Sequence, residues 1–202
     1  MKLEGYKLIF VVVALIGVLL IATPALGNAI HLPSVPGGAQ FSELFLLGSN
    51  KTAENYPSNI AIGQSYSVYV GVGNQLGASA YYVLNVKLGN ETDQLPNNTF
   101  GTPSSLQPLY EYRFSVRNNE NWERLLNFSA SNASISGSNS QIKTLEINGL
   151  AFNVEKPAIW NSTTNNFMYH LIFELWRYNI QSNSIQFDDR FVNLNLYFVG
   201  SA

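Results

Sequence analysis

Tyr110-Glu111-Tyr112-Arg113-Phe114-Ser115-Val116-Arg117 is the stretch that decides the fold. Successive side chains of a β-strand point to opposite faces, so this octet sets Tyr, Tyr, Phe and Val on one side and Glu, Arg, Ser and Arg on the other. A helix would scatter both sets around its circumference. The same period of two returns in Tyr66, Val68, Val70 and Val72, and in Tyr82, Leu84, Val86 and Leu88. It returns again in Tyr169, Leu171, Phe173 and Leu175, and in Val192, Leu194, Leu196 and Phe198. Each row describes a strand with one face on a core and one toward water.

Turn residues separate these rows: Gly48-Ser49-Asn50, Gly73-Asn74-Gln75-Leu76-Gly77, Gly89-Asn90, Gly137-Ser138-Asn139 and Asn148-Gly149. Asn148-Gly149 is the best two-residue hairpin, between Leu145-Glu146-Ile147 and Leu150-Ala151-Phe152. Together they predict eight strands, near 41–47, 65–73, 80–88, 109–117, 124–131, 141–147, 167–178 and 190–199, with one helical turn around Trp122 between Asn119 and Leu126. The expected fold is all-β, an immunoglobulin-like antiparallel β-sandwich preceded by a single N-terminal transmembrane helix. The Cys–Trp–Cys signature of antibody domains is absent, because the chain has no Cys.

The membrane segment is read from Leu8 to Leu26, 19 residues without a charge. At 1.5 Å per residue it spans roughly 28 Å, close to the hydrocarbon thickness of a bilayer. Lys2 and Lys7 precede it and no Lys or Arg follows until Lys51, which places the N-terminus in the cytoplasm and the rest outside. The resulting organisation is a cytoplasmic start over 1–7, a signal anchor in membrane lipid over 8–27, a stalk over 28–40 and an extracytoplasmic β-domain over 41–202. Two rivals share that export: a cleaved signal peptide ending at Ala25-Leu26-Gly27, and a pilin-like leader cut near Glu4-Gly5. The pilin reading puts Lys7 in an apolar filament core, where a charge is costly.

Composition narrows the function classes. Only 12% of residues are charged, so solubility rests on amides, hydroxyls and N-linked glycans. Acceptor sequons stand at Asn50, Asn90, Asn97, Asn127, Asn132 and Asn161, each expected on a surface loop or strand edge. Absence of Cys excludes thiol catalysis and thiolate-held metals, and leaves stability to a core rich in aromatics, 13% of the chain. Without Lys2, Lys7 and Glu4, the exported part carries nine basic and twelve acidic residues and no basic stripe, which argues against nucleic acid.

No constellation reads as an active site, and no cofactor or metal is expected. His170 is the one histidine in a strand, with Asp188 and Asp189 as reachable acids, but no Ser stands in a nucleophile-elbow pattern. Glu111, Glu123, Glu146 and Glu174 alternate with apolar residues as a solvated face would, rather than as a glycosidase pair. Asp188-Asp189-Arg190, with Asn183, offers oxygen ligands for Ca²⁺, and reads more simply as a polar hairpin. Among the tryptophans, Trp160 in Lys156-Pro157-Ala158-Ile159-Trp160-Asn161 looks like a loop residue, and is the candidate ligand-facing aromatic.

Phe41-Ser42-Glu43-Leu44-Phe45-Leu46-Leu47-Gly48, Ala53-Glu54-Asn55-Tyr56-Pro57-Ser58-Asn59-Ile60 and Ile62-Gly63 resemble the archaeal membrane-protein family called domain of unknown function 1616. Val70-Gly71-Val72-Gly73-Asn74, Tyr82-Val83-Leu84-Asn85-Val86 and Asn121-Trp122-Glu123 continue the pattern, over about residues 41–199. The resemblance implies an extracytoplasmic β-domain beside a membrane region, with no established activity and no catalytic residues to carry over. Members often have several membrane helices and this chain shows one, which suggests a stand-alone surface module or one docking on a separate membrane subunit. Residue by residue the motif reads as structure: Tyr56-Pro57 imposes extended backbone, and Gly63 and Gly71 suit a turn and a close backbone approach. The expected function is a non-catalytic structural or interaction subunit of an envelope or membrane complex, with a protein partner. A glycan- or ligand-binding module and a pilin-like filament subunit are the alternatives.

Overall fold

A computed structural model describes residues 40–198. The expected cytoplasmic start over 1–7, the apolar segment 8–27 and the stalk up to Ala39 lie outside the described residues. Among the described residues, no helix is long and apolar enough to cross a membrane.

Nine strands follow one another: β1 (Phe41–Leu47), β2 (Ser65–Gln75), β3 (Ala80–Asn90), β4 (Tyr110–Val116), β5 (Glu120–Ser136), β6 (Asn139–Ile147), β7 (Leu150–Ile159), β8 (Phe167–Asn179) and β9 (Ser184–Phe198). They form two sheets, ordered β1-β2-β5-β6-β7 and β4-β3-β8-β9, in which every ladder is antiparallel. The apolar rows read from the sequence face one another across a shared core. Val68, Val70, Val72, Leu126, Phe128, Ile142 and Leu145 come from one sheet; Tyr82, Leu84, Val86, Leu171, Phe173, Leu175 and Leu196 come from the other. At about 25 cal/mol per Å² of apolar area removed from water, these rows are the main stabilising contribution.

Two buried tyrosines hold the sheets in register by their polar tips. Tyr82 shares a hydrogen bond of 3.0 Å with Ser42 Oγ on β1, and Tyr169 donates to Ser140 Oγ on β6 at 3.1 Å. Burial pushes both phenols above their ordinary value, with the serine bonds opposing it. The octet that opened the reading is β4, whose Phe114 stacks on Trp122 of β5 at 3.7 Å between ring centroids.

The turn chemistry follows the residues. Asn148 and Gly149 both adopt positive φ (50° and 80°) between the paired Ile147 and Leu150, the geometry a two-residue hairpin with right-handed twist requires. Gly71 lies where a Cβ would collide with the Phe45 ring on β1. Buried Asn74 donates to the carbonyls of Ala78 and Val116 and accepts from the amide of Leu76, so it ties off the β2–β3 turn.

Four expectations need correction. There are nine strands among the described residues: the added one is β7, where Lys156-Pro157 reads in sequence as a loop. Pro157 is tolerated because β7 is an edge strand, and its partner β6 carries a register shift between Ile142 and Thr144. The residues around Trp122 form no helical turn. They belong to β5, with Trp122 opposite Val72, since packing against Phe114 overrides the polar run around them. Asp188-Asp189 is no hairpin: it sits inside β9 at a bulge between Leu175 and Trp176 of β8, with Asp189 at φ 52°. Finally, the immunoglobulin-like order holds only in part. In the immunoglobulin sheet, ordered A-B-E-D with letters in chain order, the strand D beyond E precedes it in the chain, whereas here β6 and β7 follow β5.

Candidate functional site

The outer face of the four-stranded sheet breaks the expected alternation. β3 presents Val83, Asn85 and Lys87 there, and β8 presents Ile172, Glu174 and Trp176. A solvated face would leave them exposed, yet Asn85, Lys87 and Glu174 are all buried. The cover is the connection from β3 to β4, residues 91–109, far longer than a hairpin needs. It folds back over the sheet and is pinned by an ionic knot.

Lys87 Nζ lies 2.7 Å from Glu174 Oε2, with side-chain exposures of 3% and 0%. Ser104 of the loop completes the knot from both sides. Lys87 donates to the Ser104 carbonyl and hydroxyl at 3.1 and 3.2 Å, while the Ser104 amide and hydroxyl donate to Glu174 Oε1 at 2.9 and 2.6 Å. Trp176 Nε1 adds a bond to Glu174 Oε2 at 3.3 Å. Two buried charges are tolerable only with such satisfaction, and here all three ammonium donors and both carboxylate oxygens are engaged.

The ends of the loop are tied as well. Asn90 Oδ1 accepts from the amides of Thr92 and Asp93, and Asn90 Nδ2 donates to the Pro157 carbonyl. Asp93 pairs with Lys156 at 2.9 Å. The crown closes through reciprocal backbone bonds between Asn97 and Thr102, leaving Phe100 80% exposed.

Between the loop and the sheet lies a cleft of about 410 Å³. Asn85 and Lys87 form its floor, Trp176, Val83 and Ile185 one wall, and Pro103 through Pro108 the other. Glu111 and Arg113 of β4 stand at its side and pair at 2.8 Å. Its hydrogen bonds to Glu111 and then to Tyr81 raise the Arg113 guanidinium above its ordinary value. Asn85 Oδ1 is buried and accepts no hydrogen bond.

The residues singled out from sequence fall elsewhere or change role. His170 is buried and shares its Nδ1 with Asn195 Oδ1 at 2.9 Å. Asp188 bonds Arg177 at 2.8 Å near Trp176, six residues along β8 from His170, roughly 20 Å at strand rise, so these groups are not brought together. Glu123 pairs with Lys51 at 3.3 Å and Glu146 lies half-buried on β6. Glu174, read as solvated, is the most deeply buried acid of the set. Asn183 accepts from Tyr178 in the β8–β9 turn, apart from the bulge aspartates. Among the described residues, no group of three or more His, Asp or Glu is placed to hold a metal ion.

Trp160 lies just past β7, half-buried and edge-on to Phe167 at 5.1 Å, packed against the core. Of the sequons, Asn50, Asn127 and Asn132 are exposed, and Asn97 and Asn161 are half-exposed with their Oδ1 atoms capping the next turn. Asn90 is 8% exposed with its Nδ2 already donating, which leaves no room for a glycan.

Lys87, Asn85 and Ser104 were missed as site residues. Their signal was present: in Met168-Tyr169-His170-Leu171-Ile172-Phe173-Glu174-Leu175-Trp176 one face is wholly apolar and the other carries Met168, Ile172 and Trp176 beside His170 and Glu174, which marks a strand covered on both sides.

The architecture is thus a two-sheet antiparallel β-domain with one outer face clamped under a long loop. Residues 35–155 match the family described as Domain of unknown function (DUF1616), and the chain belongs to that family. No curated protein matches it. Among solved structures it is similar to a beta-glucosidase from Listeria innocua, at 9% identity and a TM-score of 0.41, over 81% of this chain and 17% of the enzyme. It is similar also to a family 123 glycoside hydrolase from Clostridium perfringens, at 8% identity and a TM-score of 0.37, over 80% of this chain and 28% of the other. The chain spans less than a third of either enzyme's length.

Proposed function

We propose that this chain is a non-catalytic, membrane-anchored cell-surface domain that works as a structural or interaction subunit, with the loop-covered face as its recognition surface. The observation that carries the reading is the fate of the reactive groups there. Lys87, Ser104 and Glu174 are consumed by one another in fixing the loop, so the face offers a preformed cleft and an exposed Phe100 in place of a free base or nucleophile. An exposed aromatic on a tied-down loop suits a partner contact, because little freedom is lost on binding. Residues 8–27 supply the anchor, with the N-terminus cytoplasmic and the β-domain outside, and N-linked glycans fit best at the exposed Asn50, Asn127 and Asn132.

The test is purification of the native protein in mild detergent, with mass spectrometry of partners and of the mature N-terminus. The expected result is an intact N-terminal segment and a stoichiometric partner that is lost in Phe100→Ser, with thermal unfolding unchanged. A partner-free protein beginning near Asn28 would sink both the anchor and the subunit reading.

A further inference from the structure

The end of the β-domain where the chain enters carries an apolar surface that no strand pairing explains. Phe41 lies opposite Gln75, Tyr82 opposite Arg177, and Asn179 opposite Ser184. These registers bring Gln40, the β2–β3 turn and the β8–β9 turn to that one end. They line a groove of about 580 Å³, to which Leu76, Ala80, Tyr81, Tyr178 and Ile180 give apolar area.

Ile180 is the anomaly. It stands at the tip of Asn179-Ile180-Gln181-Ser182-Asn183, where every other residue is an amide or a hydroxyl, and it is 83% exposed. The turn closes without it: Asn179 Oδ1 accepts from the amides of Gln181 and Ser182, and the Tyr178 hydroxyl donates to Asn183 Oδ1. A β-branched apolar side chain adds nothing to such a turn. Set at the lip of an apolar groove, it extends a patch of the kind that marks a contact outside the domain.

Charge and chain entry together define the occupant. Among the described residues lining the groove, Arg177 alone is charged, and Asp188 pairs with it at 2.8 Å. Arg117 and Glu120, flanking the turn beside β2, pair with each other as well. This end therefore has no net charge with which to select an ionic partner. Tyrosine rings beside an apolar tip, among amides and hydroxyls, suit the headgroup boundary of a zwitterionic membrane. Twelve residues, Asn28 to Ala39, separate Gln40 from the segment 8–27, roughly 40 Å when fully extended. With that segment in lipid, the groove is kept within this reach of the bilayer, and a contact too weak to recruit a free protein is occupied.

We propose that this end of the β-domain rests on the lipid bilayer, with Ile180 inserted at the headgroup–acyl boundary and Tyr81 and Tyr178 beside it. The inference goes beyond the recognition surface under the β3–β4 loop, and rests on the reading of residues 8–27 as a retained anchor.

The chain has no Cys, so Gln181→Cys in the full chain takes a single nitrobenzoxadiazole probe beside an intact Ile180. Ile62→Cys, at an exposed position ahead of β2 and so at the opposite end of the domain, is the control. Both are reconstituted in phosphatidylcholine vesicles with and without doxyl-labelled phosphatidylcholine. Quenching by the doxyl lipid is expected to be at least about threefold stronger at position 181 than at position 62, with a blue-shifted emission. Adding Ile180→Ser should bring it down to the control level and leave thermal unfolding unchanged. Equal quenching at the two positions, or quenching that Ile180→Ser does not alter, overturns the proposal. A blue-shifted probe at 181 that doxyl lipid does not quench also overturns it, and assigns the groove to a protein or to a second copy of this chain. Alkaline carbonate extraction of the same vesicles reads the anchor separately. Retention of the chain without quenching leaves the anchor and removes the lipid contact, whereas release removes both.

Discussion

Removing one end of the Lys87–Glu174 pair tests the central claim, that an ionic knot holds the loop on the sheet. In Glu174→Met the ammonium keeps only the Ser104 oxygens, and in Lys87→Met the carboxylate keeps Ser104 and Trp176. Leaving a buried charge without its counter-ion costs about 3–5 kcal/mol. For a domain of this size, about 2–4 °C per kcal/mol converts that to a fall of roughly 6–20 °C in melting temperature for either single change. The double change Lys87→Met/Glu174→Met removes both charges and fills the space, so it should lose less than the two singles summed, with a coupling of about 2–3 kcal/mol. Urea and thermal unfolding, followed by far-ultraviolet circular dichroism, give all four corners of the cycle. Added salt should change little, because both groups are shut away from the ions that screen surface pairs. Limited proteolysis near Phe100 reports the loop itself, and should accelerate in the singles. A loss below about 1 kcal/mol in either single variant, or two losses that add without coupling, would show that the pair does not hold the loop.

Four further outcomes follow from single observations. Gly71→Val drives a side chain into the Phe45 ring and should cost about 1–3 kcal/mol, partly recovered by adding Phe45→Ala; denaturant melts of the pair decide it. Asn74→Ala strands the carbonyls of Ala78 and Val116 and the amide of Leu76, and should cost about 2–4 kcal/mol in the same measurement. Gly149→Val forces a β-branched residue to φ 80° and should lower the melting temperature by several degrees, at about 1–3 kcal/mol, whereas Gly149→Asn costs much less. Tyr82, Tyr112 and Tyr169 have phenols raised above the ordinary value, chiefly by burial. An acid whose folded value is raised keeps its stabilisation below its unfolded value and loses it as pH climbs through the folded one. Stability should therefore decline from about pH 10 upward, with these three titrating above the ordinary tyrosine value in an ultraviolet pH titration. All eleven tyrosines ionising in one ordinary step, without loss of structure, would contradict it.

The rows that paired into the core were legible because each combined a strict period of two with β-branched or aromatic residues. The β4 octet is the clearest case, and Asn148-Gly149 fixed its hairpin through the positive φ that only such residues adopt readily. β7 was lost because Glu155-Lys156-Pro157 contradicts strand propensity, and only its place at a sheet edge reconciles the two. The site was lost for a different reason. Alternation says which face of a strand is polar and cannot say what covers it. Lys87 and Glu174 look like solvent-facing residues until the chain between Glu91 and Leu109 returns over them, a non-local event fixed by Ser104 seventeen residues from Lys87. The clue within reach was the second apolar row, Ile172 with Trp176, interleaved with His170 and Glu174.

The scarcity of charge bears on what the β-domain can recognise. Of the nine cationic side chains beyond the N-terminal segment, six sit in ion pairs: Lys51, Lys87, Arg113, Arg117, Lys156 and Arg177. Arg190 gives its Nε to the Ser42 carbonyl, across the edge where β9 meets β1. Pairing of this kind cancels the field a few ångströms away, so the domain cannot steer an anionic partner over distance. Exposed amides and hydroxyls remain, together with isolated apolar side chains such as Phe100 and Ile180. Such groups recognise by shape and short-range hydrogen bonds, which reward a rigid frame. The ionic knot supplies that rigidity where it is used, since it spends two buried charges to hold in place the loop that forms the wall of the cleft.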